Sequence, residues 1–214
     1  MTQAFIFDFD GTLVDSEQAI YHCFQSITKQ LAPNRVECAK NILIGPPLRD
    51  TASEILGPEH QDSLDEFVQL FIQIHDEQVL QHTKPYPGVK EILTEFSEKK
   101  IAMAIATNKR YDPTMKLINY FGWQNFFKTV ECSNSQKKIR NKYDMIQEIL
   151  NNHQDFNMPY YVGDTVNDGQ SANLNQLLFI KANYGYGKKQ DWFGVDVYLN
   201  INNFFEIKNL LTFK

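Results

Sequence analysis

Two pairs of acidic residues stand out by type and spacing: Asp8 and Asp10 in F-I-F-D-F-D-G-T, and Asp164 and Asp168 in V-G-D-T-V-N-D. Each pair follows directly on a short apolar run. An ionised carboxylate at the end of a buried strand is costly unless a cation or a hydrogen-bonding partner offsets its charge. Gly11 permits a sharp turn after the first run, and Thr12 can hydrogen-bond nearby carboxylate or backbone groups. A bare D-x-D is most often an acidic turn, and Asp164 or Thr165 could simply cap a helix. A calcium loop is disfavoured, because its glycine position falls on Leu13 and its distal glutamate position on Ala19. Two acidic clusters at strand ends, with oxygen ligands and no His or Cys among them, point to Mg2+.

Two further groups could act on an anion held beside such a cation. Thr107-Asn108-Lys109 ends the run I-A-M-A-I-A, and a hydroxyl with free backbone N–H groups there could bind phosphate oxygens. Lys142 lies against the start of an amphipathic pattern carrying Met145, Ile146, Ile149 and Leu150, from which it could reach into a cleft. Lys137 and Lys138, in the basic run K-K-I-R-N-K, read as solvated but remain alternatives to Lys142.

Strand-like apolar runs at 4–9, 101–107, 128–132, 160–163, 177–181 and 195–199 would place these groups. Helical patterns at 89–99, 113–121 and 143–151 separate them, and another at 204–211 follows the last. Continuous apolar strands alternating with helices predict an α/β fold, a Rossmann-like parallel sheet with helices on both faces. In such sheets ligands bind beyond the carboxyl ends of the strands, where Asp8, Thr107 and Asp164 fall. Residues 15–83 break the alternation and read as helical throughout, with Ile20, Phe24, Ile27 and Leu31 at helical spacing. The stiff link T-K-P-Y-P-G leads out of this stretch. The expected organisation is therefore a core of residues 1–14 and 84–214 with an inserted helical cap of residues 15–83. A cleft between two such bodies is a common place for a small-molecule site.

The net charge of −5 offers no global attraction to nucleic acid or to an anionic membrane, so neither is expected as a partner. Any anionic ligand needs a local positive site. Three widely spaced cysteines, Cys23, Cys38 and Cys132, fit reduced thiols better than a disulfide framework. With no apolar run of spanning length and no leader pattern, the expectation is a cytoplasmic protein, monomeric or homodimeric.

F-D-F-D-G-T-L-V-D-S, T-N-K, a lysine before a helix and G-D-T-V-N-D occur in the order of the haloacid dehalogenase-like hydrolases, which the chain resembles over nearly its whole length. P-Y-P-G-V-K-E-I-L and the later G-Y-G add to the likeness, which is greatest to the phosphoglycolate-phosphatase and β-phosphoglucomutase group with a small helical cap. The resemblance implies Asp8 as nucleophile and Asp10 as acid and then base. It implies Mg2+ held by Asp8, the Asp10 carbonyl and Asp164, with Asp168 orienting the metal's water shell or Lys142. Thr107, Asn108 and Lys142 would hold the phosphoryl group. A small phosphorylated metabolite would then be hydrolysed through an aspartyl-phosphate. A β-phosphoglucomutase-like transferase and a non-catalytic phospho-ligand binder are the alternatives. The segment I-G-P-P-L-R-D resembles a specificity element, in which Arg49 could clamp a carboxylate or second phosphate. Two departures from the family pattern stand beside this: Tyr143-Asp144 follows Lys142 where relatives have proline, and Q-S-A-N-L follows Asp168.

Overall fold

In the computed structural model, which describes residues 3–135 and 140–211, the first apolar run becomes a central strand of a parallel sheet. The chain begins with β1 (Ala4–Phe7) and the two-residue β2 (Val14–Asp15). Four helices follow: α1 (Glu17–Leu31), α2 (Val36–Asn41), α3 (Leu48–Leu56) and α4 (Leu64–His82). Next come β3 (Lys84–Pro85), α5 (Val89–Glu98), β4 (Ala102–Thr107), α6 (Tyr111–Tyr120) and β5 (Thr129–Cys132). The last stretch holds α7 (Lys142–Asn152), β6 (Tyr160–Gly163), α8 (Val166–Leu174), β7 (Leu178–Ala182) and β8 (Leu199–Ile201). The sheet has six strands in the order β5-β4-β1-β6-β7-β8, all parallel. The α/β fold expected from the alternation is the one found.

The period of two in β1 explains how both faces are filled. Ala4 and Ile6 join the cluster that includes Met145, Ile146 and Ile149 of α7 and Ala172 of α8. Phe5 instead packs against Phe96 of α5, ring centroids 4.9 Å apart and tilted, and Phe7 meets Phe204 at 5.9 Å. Both phenylalanines are fully buried, each contributing about 1.5–3 kcal/mol. A strand buried on both faces reads as an unbroken apolar run, which is why it was legible.

Two elements differ from the sequence reading. The run 195–199 is largely irregular: a turn at Phe193-Gly194, where Gly194 has φ 77° and the Val195 N–H donates to the Trp192 carbonyl, precedes it, and the strand begins at Leu199. The segment Phe204–Leu211 is a 3-10 rather than an α-helix, and its buried residues Phe204, Ile207 and Leu210 recur every third position, as that helix requires.

The chain divides into two compact units, Met1–Asp15 with Lys84–Lys214, and Ser16–Thr83. In the first, β2 and β3 form a short antiparallel ribbon where the chain leaves and re-enters. In the second, α1 and α4 pair through Phe24, whose ring lies 4.8 Å from Phe71 and 6.3 Å from Phe67. Cys23, Cys38 and Cys132 are free thiols. Among the described residues no helix is long and apolar enough to cross a membrane.

Candidate active site

Register brings the carboxyl ends of three strands level. Phe7 of β1 pairs with Ile105 of β4 on one side and Val162 of β6 on the other. Asp8 follows immediately, and its N–H donates to the Val162 carbonyl at 2.8 Å. Thr107 closes β4 and is buried, while Asp164 stands one residue past β6. The chain leaves β1 for strands on one side of it and later returns to the other, which is where open α/β sheets place ligands.

Lys142 ties the acidic residues together. Asn141 caps α7 by accepting from the Asp144 N–H at 2.8 Å, so the helix starts at Lys142. The Lys142 Nζ donates to Asp8 Oδ1 at 2.8 Å and to Asp168 Oδ1. Asp168 in turn is fixed by a capping box at the start of α8. Its Oδ2 accepts from the Thr165 N–H at 2.8 Å, the Thr165 hydroxyl at 2.6 Å and the Asp164 N–H at 3.2 Å. The Tyr161 hydroxyl donates to the Ala106 carbonyl at 2.9 Å and lies 3.3 Å from Asp168 Oδ1.

Asp164 is held from two sides. Its Oδ1 accepts from the Thr12 hydroxyl at 3.1 Å and its Oδ2 from the Tyr186 N–H at 2.6 Å. A Cβ on Gly11, whose φ is 83°, would lie 2.3 Å from Asp164 Oδ2, and one on Gly185 would lie 2.4 Å from the Gly11 carbonyl. Gly11 and the G-Y-G turn are thus the close approaches that let three loops meet at one carboxylate.

Charge in this cluster is unbalanced. One oxygen from each of Asp8, Asp164 and Asp168 lies within 4.8 Å of the others, and all three residues are buried. Three carboxylates against the single ammonium of Lys142 leave two negative charges in excess. Burial pushes the Asp8 carboxyl up to about 7; Lys142 pulls against this, while Asp168 and Asp10 add to it. Burial also raises Asp164 well above the usual carboxylate range, helped by the charges of Asp168 and Asp8 and opposed by the Tyr186 N–H. For Lys142, burial alone would lower the ammonium, but Asp168 and Asp8 outweigh it and hold it above the ordinary lysine range. These directions agree physically: one lysine is oversupplied with carboxylates, and each carboxylate is undersupplied with cation. An all-oxygen donor set carrying this excess charge fits a hard divalent ion such as Mg2+.

Asp10 lies apart from that trio. Its carboxylate meets Lys109 Nζ, 3.1 Å from each oxygen. The expected metal set named Asp10 for its carbonyl, so its side chain is left for other work. The Lys109 side chain was missed in the sequence, where T-N-K drew notice for its hydroxyl and amides. Asn108 Nδ2 donates to Asn167 Oδ1 at 3.3 Å. Arg49, the expected specificity residue, belongs to the helical unit and pairs with Asp65 at 2.7 Å. Lys137 and Lys138 lie outside the described residues.

Comparison with known proteins adds a family to this geometry. Residues 5–181 match the family profile described as haloacid dehalogenase-like hydrolase. A phosphoglycolate phosphatase from Psychrobacter arcticus is 27% identical over 204 residues, covering 88% of this chain and 86% of that protein. The pyrophosphatase PpaX of Listeria monocytogenes is 33% identical over 128 residues, but the match spans only 58% of this chain and 57% of that relative. Among solved structures, a candidate phosphatase from Clostridium difficile superposes with a TM-score of 0.80 at 26% identity, covering 98% of each chain.

Proposed function

This chain belongs to the haloacid dehalogenase-like hydrolases, and we propose that it is a Mg2+-dependent phosphatase of small phosphorylated metabolites, working through an aspartyl-phosphate. The observation that carries this reading is the buried trio of Asp8, Asp164 and Asp168 beyond the ends of β1 and β6, with Lys142 donating to Asp8 and Asp168. Asp8 Oδ attacks phosphorus, and the bond to the leaving oxygen breaks as the aspartyl bond forms. Asp10 gives the leaving oxygen its proton, then takes one from the water that hydrolyses the aspartyl-phosphate. Lys142, Thr107 and the Asn108 region neutralise and orient the transferring phosphoryl oxygens. Asp168 holds Lys142 in place through the contact described above. When bound by Asp8, Asp164 and the Asp10 carbonyl, Mg2+ supplies the positive charge that lets a carboxylate meet a phosphate.

The relatives' names support hydrolysis of a phosphate ester, with phosphoglycolate as the first substrate to try. The Listeria likeness favours one second reading, inorganic pyrophosphate as substrate. Residues 15–83, whose compact helical unit is Ser16–Thr83, are proposed as the cap that selects among such substrates, with Arg49 as its anion-reading side chain. A cytoplasmic location and a monomeric or homodimeric state belong to the same proposal; the free thiols of Cys23, Cys38 and Cys132 support the reducing compartment. Phosphate release from a panel of phosphoglycolate, pyrophosphate, nucleotides and sugar phosphates, with and without chelator, tests it. Metal-dependent release from one of these is expected. Turnover indifferent to chelator and to Asp8→Asn would refute the reading, and conversion of β-glucose 1-phosphate to glucose 6-phosphate would replace it with the mutase.

A further inference from the structure

The end of β4 sends successive side chains to different tasks. Asn108 reaches the Asn167 side chain at 3.3 Å, while Lys109 turns to Asp10, 99 residues away in sequence. The Lys109 ammonium sits 3.1 Å from both Asp10 oxygens, and its side chain is only 5% exposed against 16% for Asp10. The Lys109 backbone N–H also donates to the Thr107 hydroxyl at 3.3 Å, which fixes the turn that aims it. On the other side, the Asp10 backbone bridges to Val14, so its loop is tethered to the chain that follows. A carboxylate gripped at both oxygens by a nearly buried ammonium has little rotational freedom.

We propose that Lys109 is a positioning residue that holds the Asp10 carboxyl where it exchanges a proton with the leaving oxygen and then with water. This rests on the acid and base role proposed for Asp10. In the first step Asp10 carries its proton on one oxygen while Lys109 holds the other. The phosphorus–oxygen bond to the leaving group breaks, and the alkoxide takes that proton, leaving the carboxylate that Lys109 grips at both oxygens. That carboxylate, held by Lys109, then takes the proton of the attacking water as the water oxygen bonds to phosphorus and the bond from phosphorus to the Asp8 oxygen breaks. Proton delivery limits the rate only when the leaving oxygen is basic. An alkyl phosphate needs the acid, whereas the p-nitrophenolate of p-nitrophenyl phosphate departs without it.

The test compares kcat/KM for those two esters in Lys109→Met, Lys109→Arg and Asp10→Asn, using the alkyl phosphate of the panel that the wild type turns over fastest. Lys109→Met is expected to lose roughly 10–100-fold on the alkyl ester and less than about 3-fold on p-nitrophenyl phosphate. Lys109→Arg should recover most of that loss, and Lys109→Met should add nothing further in the Asp10→Asn background. Equal losses on both esters, no loss, or a full extra loss in the Asp10→Asn background would overturn the proposal. The last result would mean that Lys109 acts on the fold or on the phosphate directly. Asp8→Asn run in parallel keeps the two ideas separate, because its retention of activity would sink the nucleophile assignment whatever Lys109 does.

Discussion

Two ion pairs in this protein illustrate how burial decides what a charge contact can do. Lys142 and Asp8 meet at 2.8 Å with side chains 2% and 7% exposed. Arg49 and Asp65, in the helical unit, meet at 2.7 Å with side chains 55% and 78% exposed. The distances are nearly equal, but the first pair sits in a crowd of carboxylates that water cannot screen. The second sits in solvent and is worth on the order of 0–1 kcal/mol. The first contact is therefore part of an obligate arrangement, while the Arg49–Asp65 contact can be broken at small cost.

The most severe way to break the buried side is Asp8→Asn. Turnover should fall by at least about 10³-fold, because the proposed nucleophile is gone. Thermal stability measured in chelator should hold or rise, since one of the crowded charges is removed. Next comes Lys142→Met, which strands Asp8 and Asp168. Urea denaturation should show a loss of about 3–5 kcal/mol, the cost of an uncompensated buried charge. A loss below about 1 kcal/mol would mean that the pair is not buried in solution.

A pH experiment sharpens the same contrast. Asp8 titrates near 7 when folded, against an ordinary value of 3.8 in the unfolded chain. Between those values the folded state binds the extra proton, so its stabilising effect is complete below about 3.8 and is lost as pH rises through 7. In chelator the melting temperature should therefore drift down across that window, and added Mg2+ should stabilise most at its upper end. A melting temperature flat over the window would contradict the charge imbalance described for Asp8. The smallest effect is expected from Arg49→Ala, within about 0.5 kcal/mol of wild type. Its effect should appear instead as a raised KM for a substrate with a carboxylate or second phosphate.

The sequence was most readable where one physical requirement governs a local stretch. β1 is apolar throughout because both its faces are covered, and Asp8 follows directly where the strand ends. Asp164 and Thr165 could be seen as strand end and helix cap, and Thr165 does cap α8. That helix itself shows little apolar periodicity, because its buried residues are Asp168, Gly169, Ser171 and Ala172. The end of the sheet was misjudged because Gly194 turns the chain just before the run 195–199, which joins the sheet only at Leu199, and Trp192 packs on Phe179 at 6.0 Å. Lys109 was the least legible. Its partner is 99 residues away, and only the register of β1 against β4 brings the two loops together.

The central claim is that Asp8 is the group that takes the phosphoryl. Acid quenching during turnover, followed by mass spectrometry of the peptides, tests it directly. A phosphoryl adduct on Asp8, absent from Asp8→Asn and slow to clear in Asp10→Asn, is the predicted result. Steady turnover with no adduct at Asp8, or with one on another residue, would contradict it.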